Sequence, residues 1–171
     1  MRERSERNNE TIFMGKAVTP KQAIKIAYKL RQGGKIIVLS GGCFDILHEG
    51  HLLFLENAKR QGDTLFIFLE SDENVRRLKG EDRPINSQEI RAQNLSALSV
   101  VDFIVKLPKL PKDSDYDRLI AHIRPSIIAI TEGDPNLDKR KKQAEMAEGI
   151  VKSVTRRTEH STTKFARSFK K

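Results

Sequence analysis

Apolar positions along this chain follow two patterns that alternate from one segment to the next. In the first, apolar residues recur every three or four positions, the period of an α-helix with one buried face. The first such segment begins at Thr19-Pro20, a cap followed by proline at the first helical position, and ends at Gly33-Gly34. In the second pattern, short runs rich in β-branched residues, such as Lys35–Leu39, predict strands that are buried on both faces.

The alternation continues along most of the chain. Helices are predicted at 51–61, 73–78, 87–98, 116–123 and 137–147, and strands at 64–69, 101–105, 126–130 and 150–154. A last helix is predicted to begin at Ser161, with the Ser161-Thr-Thr hydroxyls as its cap. Strands alternating with helices form βαβ units with right-handed crossovers, so we expect an α/β fold: a Rossmann-like, doubly wound parallel sheet with helices on both faces. Ligands of such sheets bind beyond the carboxyl ends of the strands, where the strand order reverses.

The pattern divides the chain into an N-terminal arm and one domain. Residues 1–15 show neither period, which predicts a flexible N-terminal arm or a loosely docked strand. Residues 16–171 contain no internal repeat and no linker, and Leu107–Asp115 is the longest predicted loop. A chain of 171 residues is long enough for one domain with a sizeable core, so we expect a single domain over 16–171.

Charge and cysteine content narrow the function classes. The 32 Lys and Arg against 23 Asp and Glu leave a net charge of +9, which favours anionic partners: nucleic acid, a membrane surface or phosphorylated small molecules. Cys43 is the single cysteine, which excludes an internal disulfide, and the N-terminus is charged where a signal peptide would be apolar. The longest apolar run, Leu65–Leu69, is far shorter than the roughly 20 residues that span a bilayer. We therefore expect a cytoplasmic protein without a transmembrane segment.

The segment with the clearest chemistry is Ser40-Gly-Gly-Cys-Phe-Asp-Ile-Leu-His-Glu-Gly-His51, between the predicted strand at 35–39 and the next helix. Its glycines allow the backbone to approach a phosphate, and the N-terminus of the following helix offers unpaired N–H groups and a positive dipole end. His48 and His51 are three residues apart, so both rings can lie on one side of the first helical turn, with Gly50 leaving the space between them open. Two histidines in such a turn favour phosphate binding over the ordinary structural role of a lone histidine.

Two other chemistries are weighed for the same segment. Cys43, His48 and His51 supply zinc-ligand types within nine residues, but neither His122 nor His160 has a cysteine partner that would complete a structural zinc site. Cys43 as a nucleophile is a weaker alternative, because nothing beyond the two histidines indicates a base and an orienting group around it.

The same residues carry a family resemblance. Gly42-Cys-Phe-Asp-Ile-Leu-His-Glu-Gly-His51 resembles the HxGH signature of the cytidylyltransferase-like nucleotidyltransferases. Residues 70–91 resemble the nucleotidyltransferase half of bacterial ADP-heptose synthases, in which a Lys-Gly-x-x-Arg-Pro-(Ile/Val)-Asn stretch follows the second strand. Arg157-Thr-Glu-His-Ser-Thr-Thr163 is similar to Arg-Thr-Glu-Gly-Ile-Ser-Thr-Thr of glycerol-3-phosphate cytidylyltransferases, one residue shorter. The chain departs from the heptose enzymes at Thr131-Glu-Gly-Asp-Pro135, where those carry Gly-Gly-Asp-Tyr.

The resemblance implies transfer of AMP or CMP from ATP or CTP to a phosphorylated sugar or polyol, with release of pyrophosphate. It implies catalytic roles for His48 and His51 as donors to the phosphates, and for Lys79 and Arg91 as clamps on the acceptor and the triphosphate. Residues expected to contact the nucleotide are Gly42, Cys43, Phe44, Asp45, Gly50, Arg83, Glu132, Gly133, Asp134, Ser161, Thr162 and Thr163. No protein metal site is expected, because Mg²⁺ would enter with the triphosphate, held chiefly by phosphates and water. A homodimer is also implied, while heptose, glycerol or other polyol phosphates and a flavin precursor stay open as acceptors.

The basic C-terminal part supports an alternative of another class. From Asp138 to Lys171 the chain has 11 Lys or Arg against 4 Asp or Glu, which is typical of a nucleic-acid-binding segment. Aromatic residues are scarce, at 6%, and Phe165 and Phe169 are four apart, a spacing typical of packing on a sheet or a partner. A nucleic-acid-binding protein without catalysis is therefore the second hypothesis.

Overall fold

The computed structural model describes residues 15–155. Most of the predicted arm at 1–15 and the predicted helix beginning at Ser161 lie outside these residues. The elements in chain order are β1 Ala17–Val18, α1 Pro20–Gln32, β2 Ile37–Gly42, α2 Glu49–Lys59, β3 Thr64–Leu69, α3 Asp72–Lys79, α4 Gln88–Ser96, β4 Phe103–Lys106, α5 Asp113–Ile123, β5 Ile127–Thr131, α6 Leu137–Met146 and β6 Ile150–Thr155.

The six strands form one sheet in the order β1-β4-β3-β2-β5-β6. Every neighbouring pair is parallel. Chain order runs outward from β2 in both directions, through β3 and β4 on one side and through β5 and β6 on the other. The strand order therefore reverses between β2 and β5, where a doubly wound sheet opens a crevice for ligands. The predicted Rossmann-like α/β fold is confirmed.

Helices cover both faces of the sheet. Buried residues of α1, α5 and α6 share one core cluster with Leu39 and Phe66, whereas those of α2 and α4 share the other with Val38 and Leu65. Consecutive strand residues point to opposite faces of the sheet, and helices cover both faces. β3 is therefore buried at all six positions, as its continuous apolar run predicts. Each face of the central strands is thus covered, and their carboxyl ends are held in a fixed arrangement.

Helix starts follow the predicted caps closely. The Thr19 side chain accepts a 3.2 Å hydrogen bond from the Gln22 N–H, and the Gln22 side chain accepts one from the Thr19 N–H, which completes a capping box at α1. The Ser71 and Ser87 side chains cap α3 and α4 by accepting hydrogen bonds from the N–H groups of Asn74 and Ile90. These caps fix where α3 and α4 begin beside the carboxyl edge of the sheet.

Three elements differ most from the sequence prediction, and the bounds of the other described elements agree with it to within two residues. The short edge strand β1 at 17–18 was not predicted, because two residues carry no readable period. Strand β2 spans 37–42 rather than 35–39, since Gly41 and Gly42 continue the ladder opposite Phe68 and Leu69 despite their low strand propensity. Helix α5 begins at Asp113, three residues before the predicted start. Within residues 15–155, no helix combines the length and apolar character needed to cross a membrane.

Candidate active site

A cleft of about 690 Å³ lies at the carboxyl edge of the sheet. Its floor is formed by the ends of β2, β5 and β6, with the N-terminal turn of α2 on one side and α3, α5 and α6 on the other. Residues expected from the sequence to bind a nucleotide line it in part: Gly42, Cys43, Phe44, His48, Gly50, His51, Lys79 and Asp134. The cleft is at the reversal of strand order, where the fold predicts a ligand.

His48 and His51 form a stacked pair at the start of α2. Their ring centroids are 3.9 Å apart and the rings are inclined by 29°. His48 is the N-cap of α2, and its Nδ1 accepts a 3.1 Å hydrogen bond from the Gly50 N–H. A neutral His48 ring therefore carries its proton on Nε2, where it is a hydrogen-bond donor. The predicted juxtaposition of the two histidines is what the structure shows.

The His51 ring is held neutral. Burial is the main cause that lowers its pKa to about 4, and the neighbouring His48 and the charge of Lys79 lower it further, while the Ile46 backbone opposes them. The Phe44 ring packs against it with centroids 5.3 Å apart. The buried Nδ1 of His51 has no hydrogen-bond partner within the described part of the chain. At neutral pH the ring is therefore an uncharged imidazole in an apolar wall.

The turn between β2 and α2 is shaped by close packing. Phe44 adopts a left-handed backbone conformation, with φ of 46°, which is uncommon for a residue with a side chain. A β-carbon on Gly42 would approach the Phe44 ring to 3.0 Å, so a larger residue there would displace the ring that supports His51. Cys43 is a free thiol in the same turn. Burial raises its pKa, and the charge of Lys79 opposes that rise.

Asp45 lies behind the turn rather than in the cleft. Its carboxylate accepts hydrogen bonds from the N–H groups of Ile85 and Asn86, both 2.8 Å long, and from Arg83 Nε at 2.6 Å. Asp45 and Arg83 are 1% and 5% exposed, so neither side chain presents a charge to solvent. Arg83 Nη2 is buried without a partner among residues 15–155. Asp45 and Arg83, which the sequence predicts to contact the nucleotide, instead hold the 83–86 loop against the turn.

Arg91 is also placed in the supporting layer. It is fully buried, and its guanidinium donates to the backbone carbonyls of Asn86, Cys43 and Glu70 at 3.0, 2.6 and 2.9 Å. Its Nη2 also pairs with Asp72 Oδ1 at 2.7 Å. Arg91 therefore ties the chain after β2, the chain after β3 and the loop before α4 into one unit. It does not line the cleft.

Only part of the loop after β5 lines the cleft. Asp134 lines the cleft and accepts a 2.7 Å hydrogen bond from the Asn136 N–H, whereas Glu132 and Gly133 do not line it. Gly133 has a positive φ of 75°, which glycine adopts at little cost. The predicted phosphate contacts Ser161, Thr162 and Thr163 lie outside the described residues. Thr155, the last residue that the structure describes, also lines the cleft.

Sequence reasoning missed a polar cluster on the opposite wall, formed by Glu70 after β3, Asn74 and Arg77 on α3, and Tyr116 on α5. Glu70 Oε2 accepts 2.6 and 2.8 Å hydrogen bonds from Asn74 Nδ2 and the Tyr116 hydroxyl. Arg77 donates to Asn74 Oδ1 through Nε at 2.9 Å and through Nη2 at 2.6 Å. Burial, and then the contact with Glu70, raises the pKa of Tyr116, which keeps its hydroxyl protonated. No local pattern could reveal a contact between residues 46 positions apart.

Cationic side chains line the rim of the cleft. Lys79 is at the end of α3, Arg77 is two residues before it, and Lys139 and Arg140 are on α6. Lys139 pairs with Asp113 at 2.6 Å and holds the pKa of that carboxyl below its usual range. This concentration of positive charge favours an anionic ligand such as a phosphate ester.

The cleft does not provide a protein-built metal site. Within residues 15–155, no group of three or more His, Cys, Asp or Glu side chains is arranged to hold a metal ion. Two of the three side chains weighed as zinc ligands, His48 and His51, instead form a stacked ring pair. Magnesium carried by a triphosphate needs few protein ligands, so the donor set fits only that mode.

Comparisons with known proteins point the same way as the geometry. Residues 39–168 match the family model described as cytidylyltransferase-like. The bifunctional protein HldE of Proteus mirabilis is 40% identical over 153 residues, which are 88% of this chain and 31% of that protein. The bifunctional protein HldE of Wolinella succinogenes is 50% identical over 104 residues, 61% of this chain and 21% of that protein. The chain thus spans less than a third of the length of these relatives.

Solved structures agree on the fold. The lipopolysaccharide core biosynthesis protein from Thermoplasma volcanium matches with a TM-score of 0.58 and 26% identity, over 75% of this chain and all of that one. Pantoate-beta-alanine ligase from Francisella tularensis matches with a TM-score of 0.62 over 88% of this chain and 72% of that one. At 14% identity the second likeness concerns the fold alone.

Proposed function

Since the chain belongs to the cytidylyltransferase-like family and is thereby a nucleotidyltransferase, we propose that it transfers AMP or CMP from ATP or CTP to a phosphorylated sugar or polyol, releasing pyrophosphate. An oxygen of the acceptor phosphate attacks the α-phosphorus and forms the new P–O bond. The bond from the α-phosphorus to the oxygen that bridges the β-phosphorus breaks, and its electron pair leaves with pyrophosphate.

The observation that carries this proposal is the stacked His48–His51 pair at the N-terminus of α2, beside a glycine turn at the reversal of strand order. Unpaired N–H groups of a helix N-terminus and the His48 Nε2–H are donors of the kind that bind a phosphate. Negative charge grows on the α-phosphate and on the leaving oxygen in the transition state. Donors fixed in advance around that charge stabilise it without reorganising.

This chemistry does not require a general base. A phosphate monoester is already anionic at neutral pH, so the enzyme has to position it and to stabilise charge rather than to remove a proton. His51 begins as a neutral ring, and an arriving phosphate favours its protonated form. His48 donates through Nε2 because its Nδ1 is occupied by the Gly50 N–H.

Other roles follow from the residues that surround the pair. Lys79 lines the same cleft at the end of α3, and we assign it to clamping the phosphates bound there. Ser161, Thr162 and Thr163 follow Thr155 by only a few residues, and we assign them to the β- and γ-phosphates. Magnesium is expected to enter with the triphosphate, where it neutralises phosphate charge. Arg91, Asp45 and Arg83 are positioning residues in this scheme.

The donor and acceptor classes are supported by likeness rather than by a contact. Residues 70–91 resemble the nucleotidyltransferase half of ADP-heptose synthases, and the relatives from Proteus and Wolinella are named bifunctional protein HldE. The motif at 157–163 resembles that of a CTP-using enzyme, so ATP and CTP both stay in the proposal. A homodimer and a cytoplasmic location stay predictions.

The test is pyrophosphate release with ATP, CTP, GTP and UTP separately, in the presence of Mg²⁺, against a panel of sugar and polyol phosphates. His48→Ala is the blank, and His122→Gln is the matched control, because His122 is an exposed histidine on α5 away from the cleft. The proposal expects release that needs one triphosphate and one acceptor together and that is lost in the blank.

The same experiment separates the second hypothesis. Filter binding of an oligonucleotide across a salt series reports nucleic-acid affinity, which falls steeply as salt rises. Silence across the whole panel, no thermal stabilisation by any triphosphate and oligonucleotide binding at physiological salt would replace the transferase with a nucleic-acid-binding protein.

A further inference from the structure

We propose that Glu70, held in place by Asn74 and Tyr116, forms the subsite that binds hydroxyl groups of the phosphorylated acceptor. This inference rests on the proposed function and assigns one wall of its cleft to the acceptor. It makes Glu70 and Tyr116 the residues that determine acceptor specificity.

The position of Glu70 is fixed by the sheet. It is the first residue after β3, and its backbone N–H donates a 3.2 Å hydrogen bond to the Gly42 carbonyl at the end of β2. Its own carbonyl accepts a hydrogen bond from buried Arg91. Glu70 is therefore held on the neighbouring strand, next to the turn that carries the histidines.

The carboxylate is oriented with one oxygen in use. Both hydrogen bonds that Glu70 receives, from Asn74 and from Tyr116, end on Oε2. Among residues 15–155, no hydrogen bond is donated to Glu70 Oε1. Glu70 lines the cleft, so Oε1 is the acceptor that the cluster can offer to a ligand hydroxyl.

Tyr116 adds the complementary chemistry. Its hydroxyl donates to Glu70 and accepts a 2.7 Å hydrogen bond from Asn74, and its ring lines the cleft. Burial keeps the hydroxyl protonated by raising its pKa, so it does not add a second negative charge beside Glu70. A fixed carboxylate beside a fixed hydroxyl suits vicinal hydroxyl groups, each of which both donates and accepts.

The geometry of transfer places the acceptor on this wall. The attacking and leaving oxygens lie roughly in line on opposite sides of the phosphorus, so acceptor and pyrophosphate occupy opposite directions from the histidine pair. Arg140 on α6, the helix between β5 and β6, lines the cleft with a positive charge, so we assign that side to the leaving pyrophosphate. The β3 side, with Glu70 and with Lys79 at the end of α3, remains for the acceptor.

The test compares acceptor pairs that differ by one hydroxyl: glycerol 3-phosphate against 3-hydroxypropyl phosphate, and mannose 1-phosphate against its 2-deoxy counterpart. The variants are Glu70→Gln and Tyr116→Phe. Glu73→Gln is the matched control, since Glu73 is an exposed carboxylate on α3 outside the cleft. Triphosphate affinity is measured separately by titration calorimetry, and folding by thermal unfolding.

We expect Glu70→Gln to lower kcat/KM for the hydroxylated acceptor by about 10- to 100-fold, the effect of weakening a hydrogen bond to a charged group. Tyr116→Phe lowers it less, and Glu73→Gln leaves it unchanged. Triphosphate affinity stays within about twofold of the wild type. The loss in kcat/KM is smaller with the acceptor that lacks the hydroxyl, because that acceptor has no hydroxyl for Glu70 to bind.

Different failures are distinguishable. Equal losses with both members of a pair, a loss that falls on triphosphate affinity, or efficient transfer to an acceptor without adjacent hydroxyls would overturn the subsite and leave the transferase standing. A wild-type protein that releases pyrophosphate with no phosphorylated acceptor overturns the proposed function, and the subsite with it.

Discussion

Arg91 Nη1 donates a 2.6 Å hydrogen bond to the carbonyl of Cys43, from a side chain with no exposed surface. The same guanidinium reaches Glu70 and Asn86, so one residue of α4 fixes the backbone on which both walls of the cleft are built. A residue that the sequence suggests as a phosphate clamp is thus, in this geometry, a support for the groups that would touch the phosphate.

Replacement of Arg91 is expected to unfold or loosen the site rather than to remove one ligand contact. Arg91→Ala leaves Asp72 and three carbonyls without their donor, and breaking such a buried set costs about 3 to 5 kcal/mol in the free energy of unfolding. Arg91→Lys recovers little, because a single ammonium cannot reproduce the planar fork. Urea unfolding measures both. Arg76→Ala is the control, because Arg76 is an exposed arginine of α3. Equal stability of the Arg76 and Arg91 variants would contradict the supporting role of Arg91.

The catalytic role of His48 can be separated from its capping role. His48 caps α2 through its Nδ1, so His48→Ala combines loss of a cap with loss of a donor. His48→Asn restores a good N-cap residue but removes the ring Nε2. We expect wild-type thermal stability with a rate lowered by about a hundred- to a thousandfold, the usual effect of losing one such donor. A variant as active as the wild type would exclude His48 from the chemistry.

The low pKa of His51 makes stability depend on pH in a defined direction. Its pKa in the folded protein, about 4, lies below the 6.5 of an unperturbed histidine. The unfolded chain therefore binds more protons between these values, so stability is full above about pH 6.5 and falls as pH is lowered toward 4. His51→Gln should flatten this part of the curve, and His122→Gln should not. Denaturant unfolding at several pH values measures it, and identical slopes in wild type and His51→Gln would refute it.

Occupancy of the cleft should be visible at Cys43. Burial raises the pKa of this thiol, and the charge of Glu70 adds to that rise, so its thiolate fraction at neutral pH is small. Iodoacetamide should modify Cys43 more slowly in the folded protein than in urea, and more slowly again with a bound triphosphate. Mass spectrometry of a time course gives the rates. Alkylation at the unfolded rate, without protection by any triphosphate, would show that the turn is not at the binding site.

Sequence reasoning reached the fold and the histidine pair for clear physical reasons. The buried run at 64–69 and the capped periodic segment at 20–32 each determine their element locally, as the structure confirms. His48 and His51 are three residues apart, so local geometry alone brings their rings together. Such features need no knowledge of distant contacts.

The remaining site features depend on contacts that sequence spacing does not show. Asp45 and Arg83 are 38 residues apart, and the path of the chain between them brings their side chains together. Sequence spacing does not show whether they contact a ligand or each other. Glu70 and Tyr116 meet because two crossovers bring α3 and α5 to the same edge of the sheet. No pattern within either helix predicts that meeting.

The most direct test of the central claim follows the α-phosphorus itself. The protein is incubated with Mg²⁺, an active acceptor from the panel and ATP or CTP that is radiolabelled on the α-phosphate, and the products are separated by chromatography. We predict that the label moves into a nucleoside diphosphate-linked acceptor, that the pyrophosphate is unlabelled, and that His48→Asn slows the transfer by about a hundred- to a thousandfold. Label that stays in the triphosphate, or that appears only as free nucleoside monophosphate, would contradict nucleotidyl transfer at this site.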